Sequence, residues 1–110
     1  MASQTSQGTV ALAALDDEAL AQRISQRDGA AFEALMRRHN SRLFRVARAI
    51  VKDDAEAEDV LQEAYLDAYR NMSQFRGDAQ LSTWLVRIVA NRALMRLRQS
   101  KRERVVVPMT

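Results

Sequence analysis

From Phe32 to Ile50 the apolar side chains recur at steps of three and four: Phe32, Leu35, Met36, Leu43, Val46, Ala47 and Ile50, with His39 on the same line. That period belongs to an α-helix, and a stripe this wide must be buried against other elements. Residues 30 to 51 are therefore expected to form a helix with one core-facing side. Arg37, Arg38, Arg42, Arg45 and Arg48 fall mainly off the stripe. A solvated face is the preferred reading for them over direct nucleic-acid contact. His39, the one histidine of the chain, is read as a core or boundary residue rather than a ligand, because it lies on the apolar line.

Such a helix needs partners, and three further segments supply them. Asp16 or Asp17 can cap a first helix over DEALAQRISQRD, with Leu20, Ala21 and Ile24 inward and Gly29 as its stop. An aspartate cap at Lys52-Asp53-Asp54 opens a third helix to about Met72, whose inner face is Leu61, Ala64, Tyr65, Ala68, Tyr69 and Met72. After a loop with Gly77 as breaker and Asp78 as a possible cap, a fourth helix starts near Leu81. Leu81, Trp84, Leu85, Ile88 and Met95 share one of its faces. No strand-like alternation and no internal repeat occurs. The expectation is an all-α, compact bundle of about four helices over residues 16–104. Residues 1–15 are expected to be a flexible tail. Residues 105–110, where Pro108 ends any helix, are expected to be the start of a flexible linker.

Charge is segregated along the chain. Asp53 to Asp67 holds seven carboxylates and no Lys or Arg, whereas Arg87 to Arg104 holds seven cations and the single carboxylate Glu103. The helix dipole accounts for acids in a first turn. It does not account for Gln62, Glu63 and Asp67, one to three turns further in. Neighbouring helices of opposite charge predict two partners, one basic and one acidic. Cations track phosphates and aromatics stack unpaired bases, and Phe75, Trp84, Tyr65 and Tyr69 lie near the basic helix. For Trp84, core packing outweighs stacking; for Phe75 both readings stand. The net charge of +3 and a sequence pI of about 9.9 agree with an acidic partner.

Catalysis is poorly provided for. There is no Cys, one His and no glycine-rich phosphate loop. Glu56, Glu58, Asp59 and Glu63 lack the Glu-x-x-His step of di-iron bundles. Neither an enzyme nor a cofactor or metal is expected. No apolar run reaches the roughly 20 residues that span a bilayer, and the N-terminus lacks the charged region of a secretory signal. A cytoplasmic location is expected.

The run EDVLQEAYLDAYRNMSQFRGDAQLSTWLVRIVANRALMRLR resembles region 2 of bacterial extracytoplasmic-function (ECF) sigma factors. D-V-x-Q-E-A-[YF], AYR, F-R-G-D and W-L-x-R-I-x-x-N fall in order at the family's spacing, and the resemblance covers roughly Leu15 to Arg104. It implies a transcription-initiation domain that docks on RNA polymerase and recognises and melts the promoter −10 element. Asp59, Gln62, Glu63 and Tyr65 would meet the clamp helices of the β′ subunit. The loop and helix start, with Phe75, Arg76, Gly77, Asp78, Thr83 and Trp84, would take the non-template strand and a flipped base. Asn91 would lie beside that pocket, and Arg87, Arg92, Arg96 and Arg98 would face the DNA backbone or support the pocket. The family often has an acid or amide four residues after the asparagine, where this chain has Met95. It also implies a monomer with an anti-sigma partner. The alternative is a sigma-like module that binds an anti-sigma factor without touching DNA, although such a mimic should lose the basic helix. A whole family member continues through a linker into region 4, a helix-turn-helix, and Thr110 falls where that linker would begin.

Overall fold

The computed structural model describes residues 12, 14–74 and 81–106. Four helices carry the fold: α1 (Asp17–Ser25), α2 (Gly29–Val51), α3 (Asp54–Asn71), which ends in a 3-10 turn over Met72–Gln74, and α4 (Leu81–Val106). The fold is all-α, with no strand among the described residues. None of the described helices is long and apolar enough to cross a membrane.

Aspartates start the first three helices. The Asp16 carboxylate accepts from the Ala19 N–H at 2.9 Å, Asp28 from Ala31 at 3.2 Å and Asp53 from Glu56 at 2.9 Å. Each bond satisfies an N–H that has no partner within its own helix. Gly29 does not stop α1, as its position in the sequence suggested; it is the first residue of α2, behind the Asp28 cap. The tight turn falls instead on Arg27, whose φ of 66° is left-handed. That conformation costs about 1–2 kcal/mol for a residue with a Cβ. The Arg27 guanidinium, 4.9 Å from the centre of the Tyr69 ring, offsets part of it. Tyr69 in turn meets Phe32 edge-on at 5.1 Å. Lys52, with φ 61°, makes the equivalent turn between α2 and α3 and donates its N–H to the Arg48 carbonyl.

The central helix is α2, which packs against all three others. Its stripe lands as the period demands: Leu35, Met36, Leu43 and Ala47 are buried, while Phe32, Val46 and Ile50 are partly buried against them. Leu20 and Ile24 of α1, Val60 and Leu61 of α3, and Leu85 and Val89 of α4 close the core. Each such side chain contributes about 1.5–3 kcal/mol by leaving water. Ala47, Ala57, Ala64, Ala68 and Ala93 are all buried and let the backbones approach closely. The body also begins earlier than Asp16, because Leu12 is buried and Leu15 packs on the core.

The buried row of α4 is turned from the face expected for it. It runs Leu81, Leu85, Val89, Ala93, whereas Trp84 and Ile88 are only partly buried and Met95 is 54% exposed. A row at steps of four winds slowly round a helix of 3.6 residues per turn. The contact therefore drifts along α4, and no apolar side chain after Ala93 is buried among the described residues.

Candidate functional site: the α3–α4 face

Where the buried row of α4 gives out, polar contacts take over. α3 carries Asp59, Glu63 and Asp67 at steps of four, and α4 carries Arg92 and Arg96 at the same step. The two rows meet as a ladder. Arg92 donates through Nε and Nη2 to the two Asp67 oxygens at 2.5 and 2.9 Å, and through Nη1 to Glu63 at 3.4 Å. Arg96 donates to the other Glu63 oxygen at 2.5 Å, and its second amino group lies 3.9 Å from Asp59. The order 59-63-67 against 96-92 means that the two helices run antiparallel.

Arg92 beside Asp67 holds that carboxyl below its usual range, mainly through the direct hydrogen bonds, and burial opposes the effect in part. Asp67 likewise raises the pKa of Arg92. A groove of about 450 Å³ follows the ladder, lined by Glu63, Arg92, Met95, Arg96, Arg98, Gln99, Arg102 and Glu103.

Of the residues expected to meet a basic partner, Asp59 and Gln62 are exposed on α3. Glu63 is half-exposed and already paired within the chain. Tyr65 is partly buried; its hydroxyl donates to Asn40 Oδ1 at 2.6 Å, and burial pushes its pKa up to about 12. Of the residues expected to meet nucleic acid, Thr83, Arg87, Asn91 and Arg98 are exposed. Trp84 is partly buried against the core, which fits the packing role read for it. Arg92 and Arg96 are drawn toward α3. Phe75, Arg76, Gly77 and Asp78 lie outside the described residues.

The acidic and basic stretches are thus not two independent surfaces; in part they neutralise each other. The signal was present in the sequence as a common four-residue spacing, with Asp67 included. Nothing local says which acid faces which arginine, since the partners are 25 to 37 residues apart.

The family model for sigma-70 region 2 matches residues 35–103. The chain belongs to that family, and its relatives place it among the ECF sigma factors. It is 45% identical over 86 residues to the ECF RNA polymerase sigma factor SigM of Mycobacterium tuberculosis, covering 78% of this chain and 43% of that protein. It is 39% identical over 77 residues to the RNA polymerase sigma-H factor of Pseudomonas aeruginosa, covering 70% of this chain and 40% of that one. With the ECF RNA polymerase sigma-E factor of Escherichia coli it shares 37% over 79 residues, 72% of this chain and 41% of the relative. The chain therefore spans about two fifths of the curated relatives it matches. Among solved structures it is similar to an engineered region 2 of sigmaE in an NMR complex with GTAAAA. That match has a TM-score of 0.75 and 32% identity, covering 81% of this chain and 93% of the other.

Proposed function

We propose that this chain is the part of an ECF sigma factor that docks on RNA polymerase and binds the non-template strand of the promoter −10 element, helping to hold it melted. The single observation that carries the reading is the likeness to an engineered sigmaE region 2 in complex with GTAAAA. The exposed side of α4 supports it. Asn91 offers a donor and an acceptor for a base edge, flanked one turn before by Arg87 and two turns after by Arg98. Phe75, Arg76, Gly77 and Asp78, together with Thr83 at the start of α4, take the strand and a flipped base, while Trp84, partly buried against the core, supports that end of the helix. Arg92 and Arg96 support this face from within the ladder.

Asp59, Gln62, Glu63 and Tyr65 form the polymerase face, where carboxylates and an amide suit the arginines of the β′ clamp helices. The chain acts as a monomer in the cytoplasm, by binding rather than by catalysis, with an anti-sigma factor as the regulator that covers these faces. A module that bound only an anti-sigma factor would have no need of Arg87, Arg98, Lys101 and Arg102 on an exposed helix side.

The test is fluorescence anisotropy with one −10 sequence presented as a single strand and as a duplex. Unpairing costs a few kcal/mol, so the single strand should bind at least ten-fold more tightly. Equal binding to both forms overturns the reading.

A further inference from the structure

Asp67 is absent from every set of contacts drawn above for polymerase or DNA, yet it makes the most complete polar contact of the face. We propose that Asp67 is a positioning residue for strand recognition: through its two-point grip on Arg92 it fixes the rotation of α4, and with it the direction of Asn91. The inference rests on the reading of α4 as the strand-binding helix.

At this level the apolar packing is poor in directional information. On these two helices the buried residues nearest the pair in sequence are Ala64 and Ala68 on α3 and Val89 and Ala93 on α4. Small apolar contacts resist separation but do little to resist rolling or sliding, because burial has no preferred direction. Past Ala93, no apolar side chain of α4 is buried among the described residues to pin the helix. The Asp67–Arg92 pair supplies what is missing. Two parallel N–H···O bonds at 2.5 and 2.9 Å fix the plane of the guanidinium as well as its distance. The side chains are 23% and 32% exposed, so water reaches them only in part.

The bonding also shows how Arg92 is occupied. Its Nε and Nη2 are committed to Asp67, and its Nη1 faces Glu63. Three of its five N–H groups are thus directed at the α3 acids, and one on each amino nitrogen is left over. Glu63 differs, being 41% exposed with a single short bond, to Arg96. Asn91, by contrast, is exposed and adjacent in sequence to Arg92, about 100° round the helix. At an outer radius of about 5–6 Å, a 20° roll of α4 displaces such a side chain by about 2 Å. A shift of that size breaks a hydrogen bond to a base edge.

A charge swap tests the proposal in the 110-residue chain. Asp67→Arg, Arg92→Asp and the double variant are compared with wild type, and the isosteric Asp67→Asn serves should a charged single variant fail to fold. Each is melted thermally. Each is then titrated with the single-stranded hexamer that wild type selects from a randomised pool, and with a scrambled hexamer, at several salt concentrations. Asp67→Asn should remain folded and lose about five-fold in discrimination, the size of one hydrogen bond. Its log–log salt slope should hold or steepen by at most about 0.7, as Arg92 becomes free to meet one phosphate. The double variant, with the pair rebuilt in reverse, should recover most of the wild-type discrimination. Recovery of melting temperature without recovery of discrimination means that Arg92 itself touches the strand, and overturns the proposal. So does unchanged discrimination in a folded Asp67→Asn protein. A wild type that selects no hexamer removes the functional reading, and this inference with it; a wild type that selects one while the swap fails removes this inference alone.

Discussion

The hydroxyl of Tyr65 on α3 donates a 2.6 Å hydrogen bond to the side-chain oxygen of Asn40 on α2. The contact ties the helix of the proposed polymerase face to the central helix of the bundle. Burial pushes the Tyr65 pKa from 10.0 up to about 12. The sign follows from which state releases the proton first. Between about pH 10 and 12 the unfolded chain loses it and the folded chain keeps it, so this contribution to stability is whole below pH 10 and fades as pH rises through 12. In a Tyr69→Phe background, absorbance titration should place the Tyr65 midpoint near 12. Tyr65→Phe should cost about 0.5–1.5 kcal/mol in urea denaturation. A midpoint near 10 means that the hydroxyl is solvated.

Asp67 titrates in the opposite sense. Its carboxyl is held below the usual range, chiefly by the hydrogen bonds from Arg92. Its contribution is therefore present above the ordinary carboxylate pKa and is lost as pH falls through the lowered, folded-state value. Melting temperature followed from pH 6 down into the acid range should fall less steeply for Asp67→Asn than for wild type. Parallel curves would mean that the pair does not persist in solution.

The core makes a plain demand. Leu85 is 1% exposed and sits in the row by which α4 joins the body. Leu85→Ala should cost about 2–5 kcal/mol by chemical denaturation. Trp84→Ala, one residue away but only partly buried, should cost less than the 3–5 kcal/mol typical of a fully buried ring. The reverse order would restore the rotation of α4 expected from the sequence.

Polymerase docking is best probed at Gln62, which is exposed and carries no hydrogen bond among the described residues. Gln62→Lys should weaken association with core polymerase at least ten-fold, the cost of about 1.4 kcal/mol for a like charge against arginines, with little change in melting temperature. Glu63→Lys should lower both, because it also sets a lysine against Arg92 and Arg96. Full holoenzyme assembly by Gln62→Lys, measured by co-migration on a sizing column, would move the docking face elsewhere.

Much of the fold was legible because its determinants are local. Asp16 and Asp53 cap where a short polar side chain precedes a periodic run, and the α2 stripe is a property of spacing alone. Gly29 was misread because a glycine after a helical run is the commonest stop. Here Arg27 takes the left-handed turn with help from Tyr69, a residue 42 positions away in the chain and therefore invisible to local pattern. The rotation of α4 was missed for a similar reason, since Leu81, Trp84, Leu85, Ile88 and Met95 are all apolar and only the packed neighbours decide which are covered. In the site, the residue types were legible and the pairing was not. Acids and arginines at a common step of four fit two external partners as well as they fit each other.

The central claim is that α4 reads a single strand with Asn91 and holds its backbone with exposed arginines. Titration of wild type, Asn91→Ala and Arg98→Ala against the preferred and scrambled single strands, across a range of salt, tests it most directly. Arg98→Ala should weaken both strands alike and flatten the log–log salt slope by about 0.7, one phosphate contact. Asn91→Ala should leave the slope in place and shrink the preference for the selected strand about five-fold. A folded Asn91→Ala protein with undiminished preference, or an Arg98→Ala protein with an unchanged slope, contradicts the account.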